Sequence, residues 1–84
     1  MNLYLILVMR NPTFNPVLIG AHLRFLDELR AQERVELSGA FSDQSGGAWL
    51  LRAASLAEAT VIAERDPLHL QGASTITIHE WNAK

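Results

Sequence analysis

The order of apolar and polar positions predicts four β-strands. Residues 3–9 form a continuous apolar run, which is typical of a short strand buried on both faces. Residues 35–41 alternate apolar with small or polar side chains, and residues 74–81 alternate in the same way, so each predicts a strand with one buried face. The turn-forming stretch 42–47 joins the second strand to a further apolar strand over residues 48–53 in a hairpin.

Two other segments have the spacing of helices. Asn15 is a suitable N-cap with Pro16 at the first helical position, and the apolar stripe that follows predicts a helix to about Glu33. His22 lies inside this stripe, where an aliphatic residue is expected. The stripe consists of Ile19, Leu23, Leu26 and Leu29.

A second helix is predicted after the hairpin. Ser55 and Glu58 have the spacing of a capping box, in which each side chain satisfies a free backbone N–H at the start of a helix. This helix is expected to end at about residue 64 or 65, because Pro67 disfavours helical geometry in the residue before it. Asp66-Pro67 then has the pattern of an N-cap and first turn, which predicts a short turn through Leu70 that stops at Gly72.

The resulting order, β-α-β-β-α-β, predicts a single α+β domain over residues 1–84 with a ferredoxin-like, split βαβ fold. That fold has an antiparallel four-stranded sheet with its first and third strands at the centre. The two continuous apolar runs are the first and third strands, as this topology requires. Right-handed crossovers place both helices on one face of the sheet.

The other face of the sheet would remain uncovered in a monomer. The first strand carries apolar side chains on both of its faces, and a whole sheet of such side chains exceeds what a monomer usually exposes. We therefore expect a homodimer that packs sheet against sheet, with Trp81 as the first candidate for the interface.

Composition and charge exclude several classes of protein. The 84 residues are 49% hydrophobic and 19% charged with a net charge of −2, which indicates a folded chain without the basic stripe of a nucleic-acid-binding protein. The chain has no cysteine, which excludes disulfides and thiol chemistry. The apolar run near residue 1 is too short to span a bilayer and lacks the flanks of a signal peptide, so we expect a cytoplasmic protein with no membrane partner.

His22 and Asp66 are the residues best suited to carry chemistry, and each has a structural alternative. His22 could be a neutral core histidine whose ring nitrogens are both hydrogen-bonded, and Asp66 could serve only as a helix cap. A carboxylate can also cap with one oxygen and accept an imidazole N–H with the other. The fold brings the end of the second helix to the sheet face that carries His22, so contact between the two side chains is possible.

Four further residues are candidates for ligand binding. Arg10 at the end of the first strand could bind an anionic group, although a solvated or ion-paired arginine is the structural alternative. Ser42 and Asp43 follow Phe41 in the hairpin and could contact a ligand, but both are also common turn residues. Phe41 is one of five aromatic residues that could line a cavity or belong to the core. The set is Phe14, Phe25, Phe41, Trp49 and Trp81. The histidine spacing does not favour a metal site.

In the order of its motifs the chain resembles the YciI-related (YCII) family of small bacterial proteins. The matching pieces are MNLYLILVMR, His22-Leu23, Gly39-Ala40-Phe41, the capping-box helix with Asp66-Pro67, and the close Ile76 to Trp81. The resemblance implies a dimeric α/β barrel with a pocket between sheet and helices and a His–Asp pair at His22 and Asp66. The family includes a dehydrochlorinase that acts on a chlorinated hydroxyquinol. Ala40 departs from the family's usual Gly-Pro-Phe.

Together these features favour an enzyme that needs no cofactor. In this interpretation Asp66 fixes the tautomer of His22, whose other nitrogen moves a proton on a small aromatic or cyclic substrate. A dimer that binds a small ligand without catalysis, or a structural partner of another protein, are the alternatives. In both of them His22 and Asp66 would only maintain the structure.

Overall fold

Four antiparallel strands form one sheet in a computed structural model that describes Met1–Lys84. The strands are β1 (Asn2–Arg10), β2 (Val35–Ala40), β3 (Gly46–Ala53) and β4 (Ser74–Glu80). Their order in the sheet is β2-β3-β1-β4, so the first and third strands are central, and the predicted ferredoxin-like α+β fold is confirmed. The helices are α1 (Ile19–Ala31), α2 (Leu56–Ala63) and α3 (Pro67–Leu70). None of them is long and apolar enough to cross a membrane.

The central strand β1 divides its apolar side chains between the two faces of the sheet. Tyr4, Ile6 and Val8 are buried beneath the helices, because alternate residues of a strand point to opposite faces. Leu5 and Leu7 lie on the other face, which no helix covers, and are only half-buried. The core therefore lies between the sheet and the helices on one side only.

The first helix begins and ends differently from the prediction. Pro16–Leu18 forms a 3₁₀ turn capped by the Asn15 side chain, and the α-helix starts only at Ile19. It ends at Ala31, two residues before the predicted Glu33. The Arg34 N–H donates to the carbonyl of Leu29 and the Glu33 N–H to that of Arg30, which is a Schellman motif. Within this motif Glu33 has the positive φ, 61°, and it turns the chain into β2.

The predicted caps of the other two helices are present. The Glu58 N–H donates to Ser55 Oγ at 3.1 Å, while Glu58 Oε1 accepts the N–H of Ala54 rather than that of Ser55. Asp66 caps α3 by accepting the Leu68 N–H at 3.0 Å. Gly72 has a φ of 67°, and this left-handed conformation ends the short helix and leads into β4.

Candidate active site

A cavity of about 240 Å³ lies between one end of the sheet and α1. Its floor is a row of small residues, since Gly47 is paired with Val8 on one side and with Ala40 on the other. A side chain at Gly47 would force the hairpin to shift, because a Cβ there would lie 2.5 Å from the carbonyl oxygen of Gly39. The space above Gly47 and Ala40 therefore stays open where larger residues would have filled it.

Aromatic and aliphatic side chains enclose this space. Trp49, one pair further along the same sheet face, lines the cavity and packs edge-on against Phe25 with ring centroids 5.9 Å apart. Phe14 and the first turns of α1 form the opposite side. Leu23 lines the cavity and is half-exposed, rather than buried in the core as its place in the apolar stripe had indicated.

His22 and Asp66 meet beside the cavity. The Nδ1–H of His22 donates to the carboxylate of Asp66, with distances of 2.9 Å to Oδ1 and 2.8 Å to Oδ2. An ionised carboxylate only accepts hydrogen bonds, so Nδ1 carries a proton, and in the neutral ring Nε2 is then the nitrogen with the free lone pair. His22 lines the cavity with 16% of its side chain exposed, whereas Asp66 lies behind it and is fully buried.

The geometry of the pair bears on both of these structural alternatives. Asp66 does cap α3, as expected, but its Oδ1 accepts the Leu68 N–H and its carboxylate also holds the histidine. His22 Nδ1 is bonded to Asp66, and no other residue is within hydrogen-bond distance of Nε2. One carboxylate thus makes both contacts, capping α3 and accepting the His22 N–H.

The turn after α3 is fixed to the connection between β1 and α1. Thr13 Oγ1 donates to the carbonyl oxygen of Gly72 at 2.8 Å, and the Asn11 side chain donates to the same oxygen at 3.2 Å. The Asn11 N–H donates to the carbonyl of Ala73 at 2.9 Å. These bonds hold the segment that carries Asp66 against the segment that leads to His22.

Arg10 also lines the cavity. Its guanidinium lies over the Phe14 ring, 4.2 Å from the centroid, in a cation–π contact. It forms no ion pair, unlike Arg30, Arg34 and Arg52. The structure therefore places this predicted residue at the site with its N–H donors free.

Trp49 and Ser74, two further residues of the cavity wall, carry buried polar atoms without a partner. These are Trp49 Nε1 and Ser74 Oγ, and both side chains are more than nine-tenths buried. A buried polar atom that lacks a hydrogen bond costs roughly 1–3 kcal/mol. From the sequence Trp49 was only one of several aromatic candidates, and Ser74 was not a candidate, since its position opposite Arg10 depends on the register of β4.

The other three predicted binding residues lie in the hairpin and do not line this cavity. Phe41 follows β2, and its carbonyl accepts the Gln44 N–H at 3.0 Å, which closes a turn over residues 41–44. Asp43 accepts the Ser45 N–H at 2.9 Å. Hydrogen bonds from the Ser45 side chain and backbone lower the pKa of Asp43. Ser42 is an exposed turn residue.

The remaining histidines lie away from the cavity. His69 Nε2 is 3.6 Å from Glu64 Oε2, and His79 is exposed on the uncovered face of the sheet. No three His, Asp or Glu side chains come together in a way that could hold a metal ion.

Comparison with known proteins assigns the chain to a family. The model of the YCII-related domain matches residues 3–82, which is nearly the whole chain. The chain belongs to the YCII-related family. This membership confirms the resemblance in the sequence motifs.

This YCII-related chain is similar to one further protein in sequence and to another in structure. It is 46% identical over 81 residues to the uncharacterized protein YjpA of Bacillus subtilis (strain 168), across 96% of this chain and 95% of YjpA. It also shares the fold of the 5-chloro-2-hydroxyhydroquinone dehydrochlorinase TftG from Burkholderia phenoliruptrix AC1100, solved in complex with 2,5-dihydroxybenzoquinone. The TM-score is 0.77 at 22% sequence identity, covering 98% of this chain and 95% of TftG.

Proposed function

We propose that this YCII-related protein is an enzyme without a cofactor in which His22 acts as general acid and base and Asp66 orients it. The observation that carries this proposal is the bond from His22 Nδ1 to a fully buried carboxylate, at 2.8 Å from Oδ2. This bond assigns the proton to Nδ1 and leaves the lone pair of Nε2 for a ligand in the cavity.

The chemistry follows from that arrangement. Nε2 accepts a proton from a hydroxyl or an acidic carbon of the substrate, and the electron pair of the broken bond stays on the substrate. The imidazolium that forms is stabilised by the negative charge of Asp66. It then returns the proton to a carbon or to a leaving group. Positioned acid–base catalysis of this kind typically contributes ~10²–10⁴-fold to a rate.

The cavity limits the substrate to a small molecule. Its 240 Å³ lies below the ~300–1,000 Å³ of common ligand clefts and suits a molecule with a single ring. Aromatic side chains at Phe14 and Trp49 favour a flat ring. TftG, which shares this fold, is named for a reaction on a hydroxylated ring, and this supports a phenolic or quinoid substrate for our chain as well.

A reactivity measurement tests the site without knowledge of the substrate. Diethylpyrocarbonate acylates unprotonated imidazole nitrogens, and mass spectrometry assigns the modified histidine. We expect His22 to react, and to react more slowly in Asp66→Ala, which removes the carboxylate. If His22 resists acylation while His79 reacts, a molecule in the cavity cannot reach Nε2 of His22 and the enzyme proposal is wrong.

Proton transfer itself is tested by isotope exchange. We expect the wild-type protein to accelerate deuterium exchange into ring positions of hydroxyquinones, with 2,5-dihydroxybenzoquinone as the first compound. His22→Gln should lower this acceleration by ~10²-fold or more. His69→Gln is the matched control, since His69 lies outside the cavity. Ligand binding with no exchange in either protein would favour the non-catalytic binding dimer instead.

We also propose that two copies of the chain pair through the uncovered face of the sheet. Leu3, Leu5, Leu7 and Leu50 form a half-buried apolar surface there, and Trp81 after β4 is 47% exposed. Light scattering should give twice the 9.3 kDa mass of one chain. Leu5→Lys places a charge at the centre of this surface and should give the single-chain mass. A single-chain mass for the wild type would contradict the dimer.

A further inference from the structure

We infer that the cavity binds a small organic acid with one flat ring, whose carboxylate is held by Arg10. This inference names the substrate class of the proposed enzyme and rests on the same cavity. The binding preference that it predicts does not depend on whether His22 transfers protons.

Arg10 is the cation available for such a contact. Three of the arginines are paired with carboxylates, but the guanidinium of Arg10 is stacked on Phe14 and bonds to no side chain. The contact with the ring restrains the guanidinium, and its N–H groups are left without a side-chain partner. A carboxylate matches that edge, because its two oxygens accept two parallel N–H bonds.

The cavity contains no negative charge to compete with such a ligand. No aspartate or glutamate lines it, and Arg10 is its only residue with a fixed charge. The carboxylate of Asp66 lies behind His22 and already accepts the His22 Nδ1–H and the Leu68 N–H. An organic anion would therefore meet a complementary positive charge, while an organic cation would not.

Two polar groups in the wall have the chemistry of further contacts. Ser74 is the direct partner of Arg10 across the β1–β4 ladder, and opposite residues in such a pair have Cβ atoms about 4.5–5.5 Å apart. The Ser74 hydroxyl and the Trp49 N–H both lack a protein partner. Trp49 can only donate, so a ligand that satisfies it must present an acceptor oxygen, as a carboxylate or a ring hydroxyl does.

The first test compares two probes of the same shape. Benzoate and benzamide differ in charge, and their dissociation constants are measured by NMR titration at low ionic strength. We expect the wild type to bind benzoate at least about tenfold more tightly than benzamide, which is the usual effect of one charge-assisted bond. Equal binding of the two probes, or no benzoate shift at millimolar concentration, would overturn the inference.

Variants assign the preference to Arg10. Arg10→Gln should abolish the difference between the probes, and Arg10→Lys should keep part of it, since it retains the charge without the planar edge. Arg24→Gln is the matched control, because Arg24 forms no ion pair and lies outside the cavity. If Arg10→Gln preserves the preference while its urea transition matches that of Arg24→Gln, another group binds the anion and the assignment fails.

Ser74→Ala is expected to change stability and benzoate binding in different directions. Removal of an unpartnered hydroxyl should leave the urea midpoint unchanged or higher, while benzoate binding becomes several-fold weaker. Unchanged benzoate affinity would remove Ser74 from the site. His22→Gln separates this inference from the proposed function: loss of proton exchange with a retained benzoate preference supports both.

Discussion

The two ends of the helix-covered sheet face are built on the same strands but are packed differently. At one end Val35 of β2 pairs with Leu51 of β3, and both side chains are buried. At the other end Ala40 pairs with Gly47, and the space above them is the cavity. The residue types at two positions of one ladder therefore decide which end is filled and which end can hold a ligand.

The two ends also differ in whether their polar side chains have hydrogen-bond partners. At the filled end the Tyr4 hydroxyl donates to Glu80 at 3.0 Å, and Arg34 donates to Glu58 at 2.7 Å. At the cavity end Trp49 Nε1 and Ser74 Oγ have no partner. Side-chain hydrogen bonds therefore stabilise the filled end, whereas two buried polar groups at the cavity end are left unpaired.

The largest effect is expected at the filled end. Leu51→Ala removes a side chain with no exposed surface and should lower the free energy of unfolding by ~2–5 kcal/mol. Urea denaturation followed by circular dichroism measures the change. Leu37→Ala is the control, because Leu37 is 67% exposed and its loss should cost less than about 0.5 kcal/mol. Equal losses in the two variants would contradict the assignment of the core.

A smaller effect is expected in the floor of the cavity. Gly47→Ala forces a Cβ to within 2.5 Å of the Gly39 carbonyl oxygen, so the hairpin must shift. We expect a loss of ~1–3 kcal/mol in the same urea experiment. Gly39→Ala lies in the same hairpin, but its Cβ would meet no atom within 4 Å, so it should change stability little. If Gly39→Ala costs as much as Gly47→Ala, the close approach is not the cause.

Asp66→Asn should change the tautomer of His22 more than it changes stability. The Asn oxygen can still accept the Leu68 N–H, while its amide then donates to His22 Nδ1 and the ring proton moves to Nε2. The loss of a charge-assisted bond should cost about 1 kcal/mol of unfolding free energy. Long-range ¹⁵N–¹H spectra distinguish the two tautomers. An unchanged Nδ1–H form in Asp66→Asn would show that Asp66 does not set the tautomer.

The smallest effect is expected at the exposed Arg34–Glu58 pair. The hydrogen bond from Arg34, and next that from the Ala54 N–H, lower the pKa of Glu58 below its ordinary 4.5. Because the folded pKa is the lower one, this stabilisation is present above about pH 4.5 and is lost as the pH falls through the folded value. Glu58→Gln should therefore be less stable than wild type at pH 7 and nearly equal to it in acid. Arg34→Gln should show the same convergence, and a constant difference across pH would contradict it.

The fold was predictable from the sequence because its signals are local. The alternation of residues 74–81, the capping box at Ser55 and the apolar runs each depend on neighbours in the chain. The boundaries of the first helix were predicted less accurately than the order of the elements. Its α-helix begins only after a 3₁₀ turn capped by Asn15, and it ends at Ala31, where the chain turns through the positive φ of Glu33. A glutamate in the sequence gives no signal for that conformation.

The candidate site was predictable only in part. His22 stood out because an imidazole interrupted an apolar stripe, and Asp66 because it precedes a proline. Ser74 gave no signal, since its position beside the site depends on which residue of β1 it faces. The three hairpin candidates were placed next to the site by sequence order alone. A turn over residues 41–44 directs that part of the chain away from the cavity.

The position of β1 has a consequence for how the molecule is made. β1 lies at the centre of the sheet and hydrogen-bonds to β3 and to β4, both of which come later in the sequence. Arg10 therefore has no neighbour at Ser74 until residue 74 has been synthesised, and His22 has no partner until Asp66, 44 positions later, has been added. The site can therefore form only after residues 66–74 have been added, well after the strand and the helix that carry Arg10 and His22.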